Sequence, residues 1–219
     1  MIEGRHHHSP RSGATDWDQY YRRPFAAASV TRGVTRRKLI RLFSNVGIRN
    51  SPTILELGGA NSAFADAIAS AMHPKRYAVA DTNACGLTLF RERFPDTELF
   101  PSFEVDAVDL PAGLAGYDVV FSVGLIEHFS PYRTARCIAS HFKACRPGGI
   151  VLITFPTPTL LYRMIRSAAE KTGHWIFHDE RPLQFAEVHA ACRAYGDLVH
   201  ESITWQIGLT QGCAVYRRR

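Results

Sequence analysis

The chain lacks a run approaching the ~20 apolar residues of a membrane span, so no transmembrane helix is expected in its 219 residues. It also lacks a C-x-x-C pair. Its five cysteines (Cys85, Cys137, Cys145, Cys192, Cys213) are odd in number and scattered, which points away from a disulfide framework or zinc site. No metal is expected. The first fifteen residues are too polar for a secretory leader, and a reducing cytoplasmic location is the expectation. No internal repeat or low-complexity stretch is present. What the chain does have is 46% apolar residues, enough for one sizeable core and hence one α/β domain.

The formal net charge is +6, which invites a nucleic-acid reading. The basic residues, however, concentrate at Arg22-Arg23, between Arg32 and Arg41, and in the last three arginines. Such clusters serve an anionic small molecule or solubility equally well. Residues 1–15 read as an appended tail: Ile2-Glu3-Gly4-Arg5 resembles a protease-recognition site beside His6-His7-His8, so these histidines are set aside as ligands. Residues 16–50 read as an N-terminal helical cap or lid, with a helix over about Thr31–Val46 whose apolar face is Val34, Leu39, Ile40, Leu42 and Phe43.

From residue 51 to residue 219 strands and helices alternate, the pattern of a parallel sheet with crossover helices. Strands are expected at Thr53–Leu57, Arg76–Ala80, Phe103–Val105, Tyr117–Val123 and Ile150–Phe155. Helices are expected over about Ser62–Met72, Ala84–Arg93, Pro131–Cys145, Leu160–Lys171 and Gln184–Tyr195, with Arg146-Pro147-Gly148-Gly149 as a turn. The last two strands, Val199–Ile207 and Gln211–Arg217, lie close enough to pair antiparallel at one edge. The fold class is therefore α/β: a Rossmann-like seven-stranded, mostly parallel sheet with an antiparallel last strand, helices on both faces and the helical cap. Residues 156–182 interrupt the alternation and read as an insert on the substrate side.

Residues 53–62 carry the most information. An apolar strand passes through Glu56, breaks at Gly58-Gly59 and restarts as a helix of small residues, a turn that lets a ligand approach bare backbone at a helix N-terminus. Asp81 and Asp106 end the next two strands. Ribose hydroxyls and an adenine amine are donors, which such carboxylates accept. Residues 58–63 read Gly-Gly-Ala-Asn-Ser-Ala rather than G-x-G-x-x-G, and a carboxylate beside a pyrophosphate would repel it. Glu56 suits the cationic sulfonium of S-adenosylmethionine better than a dinucleotide. Taken singly, each acidic residue reads as a helix cap and the glycines as a tight turn.

The chain resembles the class I S-adenosylmethionine-dependent methyltransferases, in particular the small-molecule, ubiquinone-biosynthesis-like branch. The residues that carry the resemblance are Ile54 to Gly58, Asp81, Asp106-Ala107 with Leu110-Pro111, Tyr117 to Ser122, Leu125-Ile126-Glu127-His128-Phe129, and Arg146 to Gly149. It implies a cofactor site made by Glu56, Gly58, Gly59, Ala60, Asp81, Thr82, Asp106, Ala107, Val123 and Gly124. In it Asp81 holds the ribose, Asp106 and Ala107 the adenine, and Val123-Gly124 the methionine side. The family usually has glycine where this chain has Ala60 and Ser62. Trp17, Tyr20 and Tyr21 resemble an aromatic lid, with Arg32 or Arg36 reaching the methionine carboxylate.

For an O–H acceptor, His128 at the rim after the fourth strand is the candidate general base, with Glu127 beside it to orient the ring or cap the next helix. Tyr162, Arg163, His178 and Arg181 are candidate substrate contacts suited to a partly anionic or sugar-like acceptor. A structural strand-end pair and a solvated basic helix are the plain alternatives. Ser122-Val123-Gly124-Leu125 differs from the Asn/Asp-Pro-Pro-aromatic turn of enzymes acting on base amines, and no separate RNA-binding module is visible. The function read from the sequence is methylation, O-directed, of a small molecule, glycan or natural-product intermediate. An RNA methyltransferase and a non-catalytic S-adenosylmethionine-binding protein are the alternatives. The sequence leaves the oligomeric state open.

Overall fold

The computed structural model describes residues 15–22, 26–48 and 51–219; the tail, Arg23-Pro24 and Asn50 of the sequence reading lie outside them. Two helices, α1 (Trp17–Arg22) and α2 (Ala26–Asn45), precede β1 (Thr53–Leu57), α3 (Ala65–Met72), β2 (Arg76–Asp81), α4 (Ala84–Arg93) and β3 (Ser102–Glu104). Then follow β4 (Tyr117–Val123), a 3-10 turn (Ile126–His128), α5 (Pro131–Ala144), β5 (Cys145–Pro156), α6 (Leu160–Lys171), α7 (Phe185–Cys192), β6 (Gly196–Thr204) and β7 (Gln211–Arg218).

The seven strands lie in the order β3-β2-β1-β4-β5-β7-β6. β1 to β5 are parallel, while β7 runs antiparallel to both β5 and β6. Strand residues alternate between two cores, as a pleated sheet requires. Leu55, Leu57, Val120 and Ile153 face α5 and α7; Ile54, Tyr77, Val79 and Phe121 face α2, α3 and α4. Of the expected apolar face of α2, Leu39, Leu42 and Phe43 are buried and Ile40 packs partly buried against them, whereas Val34 is half-buried outside that core. The strand order reverses between β1 and β4, so their adjacent carboxyl ends open a crevice. All five cysteines are free thiols. Among the described residues no helix is long and apolar enough to cross a membrane.

Several boundaries move for identifiable reasons. α3 starts at Ala65 rather than Ser62, because Ser62 Oγ accepts from the N–H groups of Phe64 and Ala65, both at 3.1 Å. The expected turn at Arg146–Gly149 is a bulge inside β5: the register jumps from Tyr117↔Cys145 to Val119↔Ile150. Arg146 Nε, 2.6 Å from Asp118 Oδ1, ties the bulge to β4. Gly149 has no alternative, since a Cβ there would sit 2.8 Å from the Asp118 carbonyl oxygen. β6 ends at Thr204, not Ile207, leaving residues 205–210 as a loop that returns to the sheet at Gln211, opposite Pro156.

Candidate active site

The turn after β1 is stretched over the end of β2. Gly58 adopts φ +71° and its N–H donates to the Ala80 carbonyl at 2.8 Å. Gly59 leaves room for Glu56, whose carboxyl carbon would lie 2.6 Å from a Cβ at that position. Glu56 is buried and accepts from the Tyr77 hydroxyl at 2.6 Å. Burial pushes it up to about 7, against hydrogen bonds from Ser62 and Tyr77.

The two departures from the family's glycines are accommodated differently. Ser62 accepts the Phe64 and Ala65 N–H groups in the turn that leads into α3, whose N-cap is Phe64. Ala60 keeps an unusual φ of +21°, and its Cβ fits because residue 86 is glycine: a Cβ there would come within 2.6 Å of Ala60 Cβ. The Ala60 N–H donates to Asp81 Oδ2 at 3.1 Å.

A cavity of about 650 Å³ opens at the carboxyl ends of β1, β2 and β4, over Glu56, Gly58, Gly59, Asp81, Thr82, Val123 and Gly124. Asp81 also accepts from the Asn83 N–H at 2.8 Å and from the Tyr21 hydroxyl at 3.4 Å. Burial outweighs these bonds and raises its pKa. Trp17, Tyr20 and Tyr21 of α1 roof the cavity with Phe177, and the Arg32 guanidinium lies over the Tyr20 ring, 5.3 Å from its centroid. A side slot of about 110 Å³ shares Asp81 and Thr82 and continues to Asp106, Ala107, Phe129 and Arg133. There Asp106 accepts from the Val108 N–H at 2.9 Å and pairs with Arg133 at 2.7 Å.

The opposite wall carries the titratable groups. His128 Nδ1 lies 3.2 Å from Asp179 Oδ1, and the same oxygen accepts from the Thr15 hydroxyl. Trp17 meets the His128 ring edge-on at 4.9 Å. Burial alone would lower His128, but the hydrogen bond to Asp179, together with that carboxylate's charge, outweighs it, so its pKa is raised. Asp179 is correspondingly lowered: burial raises it, and the bonds to His128 and Thr15 win. Glu127 is buried with no hydrogen-bond partner for Oε2 among the described residues, and burial pushes it up to about 8. Tyr162 donates to Glu180, while Arg166 holds the Tyr162 hydroxyl and the Glu180 carbonyl, both at 3.0 Å.

The sequence candidates therefore divide. Glu56, Gly58, Gly59, Asp81, Thr82, Val123, Gly124, Tyr21, Arg32, Glu127, His128 and Tyr162 line the cavity, and Asp106 and Ala107 the slot. Ala60 supports the floor from beneath. Arg163 and His178 are exposed and away from both. Arg181 is a frame residue: its guanidinium binds both oxygens of Glu187, at 2.9 and 2.8 Å, and its N–H donates to the Glu127 carbonyl. Glu127 does not orient the histidine ring, a task that falls to Asp179. Sequence reasoning also missed Arg133 and the wall at Ile207, Leu209 and Gln211. Asp179 had a signal in its acidic neighbourhood; the loop wall had none.

Residues 54–149 match the family model described as "Methyltransferase domain". The match is to a methyltransferase domain over 96 of the 219 residues, and the fold is that of the class I S-adenosylmethionine-dependent methyltransferases. Solved methyltransferases share its architecture. N-methyltransferase NodS from Bradyrhizobium japonicum WM9, in complex with S-adenosyl-L-homocysteine, matches at 16% identity and TM-score 0.63, over 84% of this chain and 85% of that one. Magnesium protoporphyrin IX methyltransferase from Synechocystis PCC 6803, with the same compound bound, matches at 11% and TM-score 0.67, over 86% and 84%. A chain of the Haloferax volcanii complex containing the Trm112 methyltransferase activator matches at 14% and TM-score 0.74, over 96% and 99%. No curated protein matches the sequence.

Proposed function

We propose that this methyltransferase domain methylates a hydroxyl group of a small molecule. The observation that carries the reading is the partly buried His128–Asp179 pair, whose histidine stands on the cavity wall. With Nδ1 held by a carboxylate, the ring keeps one tautomer, and Nε2 is the nitrogen left to accept an acceptor's proton. A cavity of about 650 Å³ is of the size that takes a cofactor and a small ligand together.

The residues fit the cofactor. Asp81 has only backbone N–H groups and the Tyr21 hydroxyl as hydrogen-bond partners among the described residues, so its oxygens suit ribose hydroxyls. Asp106 and Ala107 in the slot suit the adenine, and Gly58, Gly59, Val123 and Gly124 leave backbone bare for the methionine part. Arg32 suits the methionine carboxylate, and Glu56 favours a cationic ligand. S-adenosylmethionine bound there supplies an electrophilic methyl group. The chain's contribution is to exclude water under α1, hold the acceptor in line and take its proton at His128. Glu127, protonated up to about pH 8, offers its unpartnered oxygen to a polar group of the acceptor. Tyr162 and Glu180 stand further along the same wall. Residues 16–50 act as the lid over the domain formed by 51–219, and 156–182 as its acceptor-side segment.

The test is a panel of phenols, alcohols, carboxylic acids and amines offered with S-adenosylmethionine. Transfer to hydroxyl acceptors, lost in His128→Ala, is expected. Transfer confined to amines, or unaffected by His128→Ala, overturns the reading.

A further inference from the structure

Nine large hydrophobic side chains are exposed among the described residues, and five of them (Val30, Leu160, Leu161, Met164 and Trp205) sit on three segments that also wall the cavity. These are α2, which turns Thr31 and Thr35 inward, α6, which turns Tyr162 inward, and the 205–210 loop, which turns Ile207 and Leu209 inward. Val30, Leu160 and Met164 are 69%, 71% and 62% exposed.

The three segments are joined edge to edge. The Lys38 ammonium donates to Thr204 Oγ1 at 2.6 Å, setting that flank of α2 beside Trp205. The Gly208 backbone packs against Ile165 of α6, where a Cβ would come within 2.5 Å. The Thr159 and Thr210 hydroxyls meet at 2.7 Å. On α2, positions 30, 34, 37 and 41 follow the helical period and form one stripe beside Lys38; Arg37 and Arg41 in it are exposed. On α6, Arg163 and Lys171 are exposed with the leucines and Met164. The result is a patch of aliphatic side chains and one tryptophan, bordered by arginines and a lysine.

We propose that this face docks on an anionic lipid surface, with the rim of the cavity against it, and that the methyl acceptor is an amphiphile taken from that surface. Apolar side chains on a short amphipathic helix enter the headgroup boundary while flanking basic residues stay with the lipid phosphates. Tryptophan at the edge suits the same boundary. Charge complementarity selects the partner: the border is basic, so the surface is anionic. The identity of the acceptor rests on the methyltransferase reading; the docking does not.

The experiment is co-sedimentation of the full chain with vesicles of phosphatidylcholine alone and of phosphatidylcholine with one-third phosphatidylglycerol, without cofactor or acceptor. Binding to the anionic vesicles, weakened by salt, is expected, with little to the neutral ones. Leu160→Ser with Met164→Ser abolishes it. Arg37→Gln with Arg41→Gln weakens it about fivefold per charge. Unchanged melting temperatures show that the variants are folded, since all four side chains lie outside the site. Absence of binding to either vesicle overturns the proposal, as does equal binding to both. Self-association that disappears in Leu160→Ser with Met164→Ser, without vesicle binding, also overturns it and gives the face to a second copy. Because vesicle binding is read without chemistry, loss of methyl transfer and loss of docking are separately visible.

Discussion

His128 Nδ1 and Asp179 Oδ1 lie 3.2 Å apart although 51 positions separate them in the chain. The histidine ends the turn after β4, whereas the aspartate belongs to the irregular segment between α6 and α7, so the pair exists only when that segment folds back over the sheet. Asp179→Asn keeps the shape and removes the charge that raises the ring. The His128 ring, followed by NMR, should titrate at lower pH in the variant. The sign of the stability effect follows from both shifts. A raised histidine contributes fully below its ordinary value, about 6.5, and fades as pH climbs through its folded value. A lowered aspartate contributes above its ordinary value, about 3.9, and fades as pH falls through its folded one. The variant's loss in urea unfolding should thus be greatest between about pH 4 and 6.5.

Asp81→Ala removes the acceptor proposed for the ribose. Hydrogen bonds to a charged group contribute about 1.5–3 kcal/mol, so S-adenosyl-L-homocysteine should bind roughly 10- to 100-fold more weakly by calorimetry. Affinity equal to that of the unaltered chain would remove Asp81 from the cofactor site.

Ala60 and Gly86 compete for one methyl-sized space. Gly86→Ala overfills it and should destabilise by about 1–3 kcal/mol. Ala60→Gly in the same chain should recover most of that loss, because it removes the clashing methyl and suits the positive φ at residue 60. Thermal unfolding of both single variants and the double variant measures the coupling; additive losses would show that the two sites do not share the space.

Glu127 is a buried carboxyl raised to about 8. The unfolded chain gives up that proton near pH 4.5, so the folded state loses stability as pH rises from there to about 8. Glu127→Gln cannot ionise and should flatten this decline, gaining on the order of a few kcal/mol at pH 8 relative to pH 5. Urea midpoints at the two pH values decide it.

The sheet was legible in the sequence because its inner strands are continuous apolar runs bounded by breakers. β1 and β4 fall on the residues expected, Thr53–Leu57 and Tyr117–Val123. The floor of the cavity was legible for the same reason: Glu56, Asp81 and Asp106 each lie at or just beyond the end of a strand. The turn signal at Pro147-Gly148-Gly149 marks a real irregularity, but it is a bulge within β5 rather than the expected turn, and local signals do not tell the two apart. The roof and far wall were hidden, since Thr15, Asp179 and Gln211 come from segments distant in sequence and no short-range period relates them. The exposed Arg163 and His178 show the converse: residue type alone does not say which way an irregular segment turns.

β7 runs against its neighbours, and this has a consequence for how the protein can change. In a parallel strand, the loop leading in arrives at the amino end, far from the crevice. Reversal of β7 brings residues 205–210 to the carboxyl ends of β4 and β5, where Gln211 pairs with Pro156. One wall of the cavity is thus a connector between the last two strands, β6 and β7. Insertions, deletions and substitutions there can retune which acceptors are admitted while the cofactor floor, built on β1 and β2, stays untouched. The two halves of the site are free to evolve at different rates.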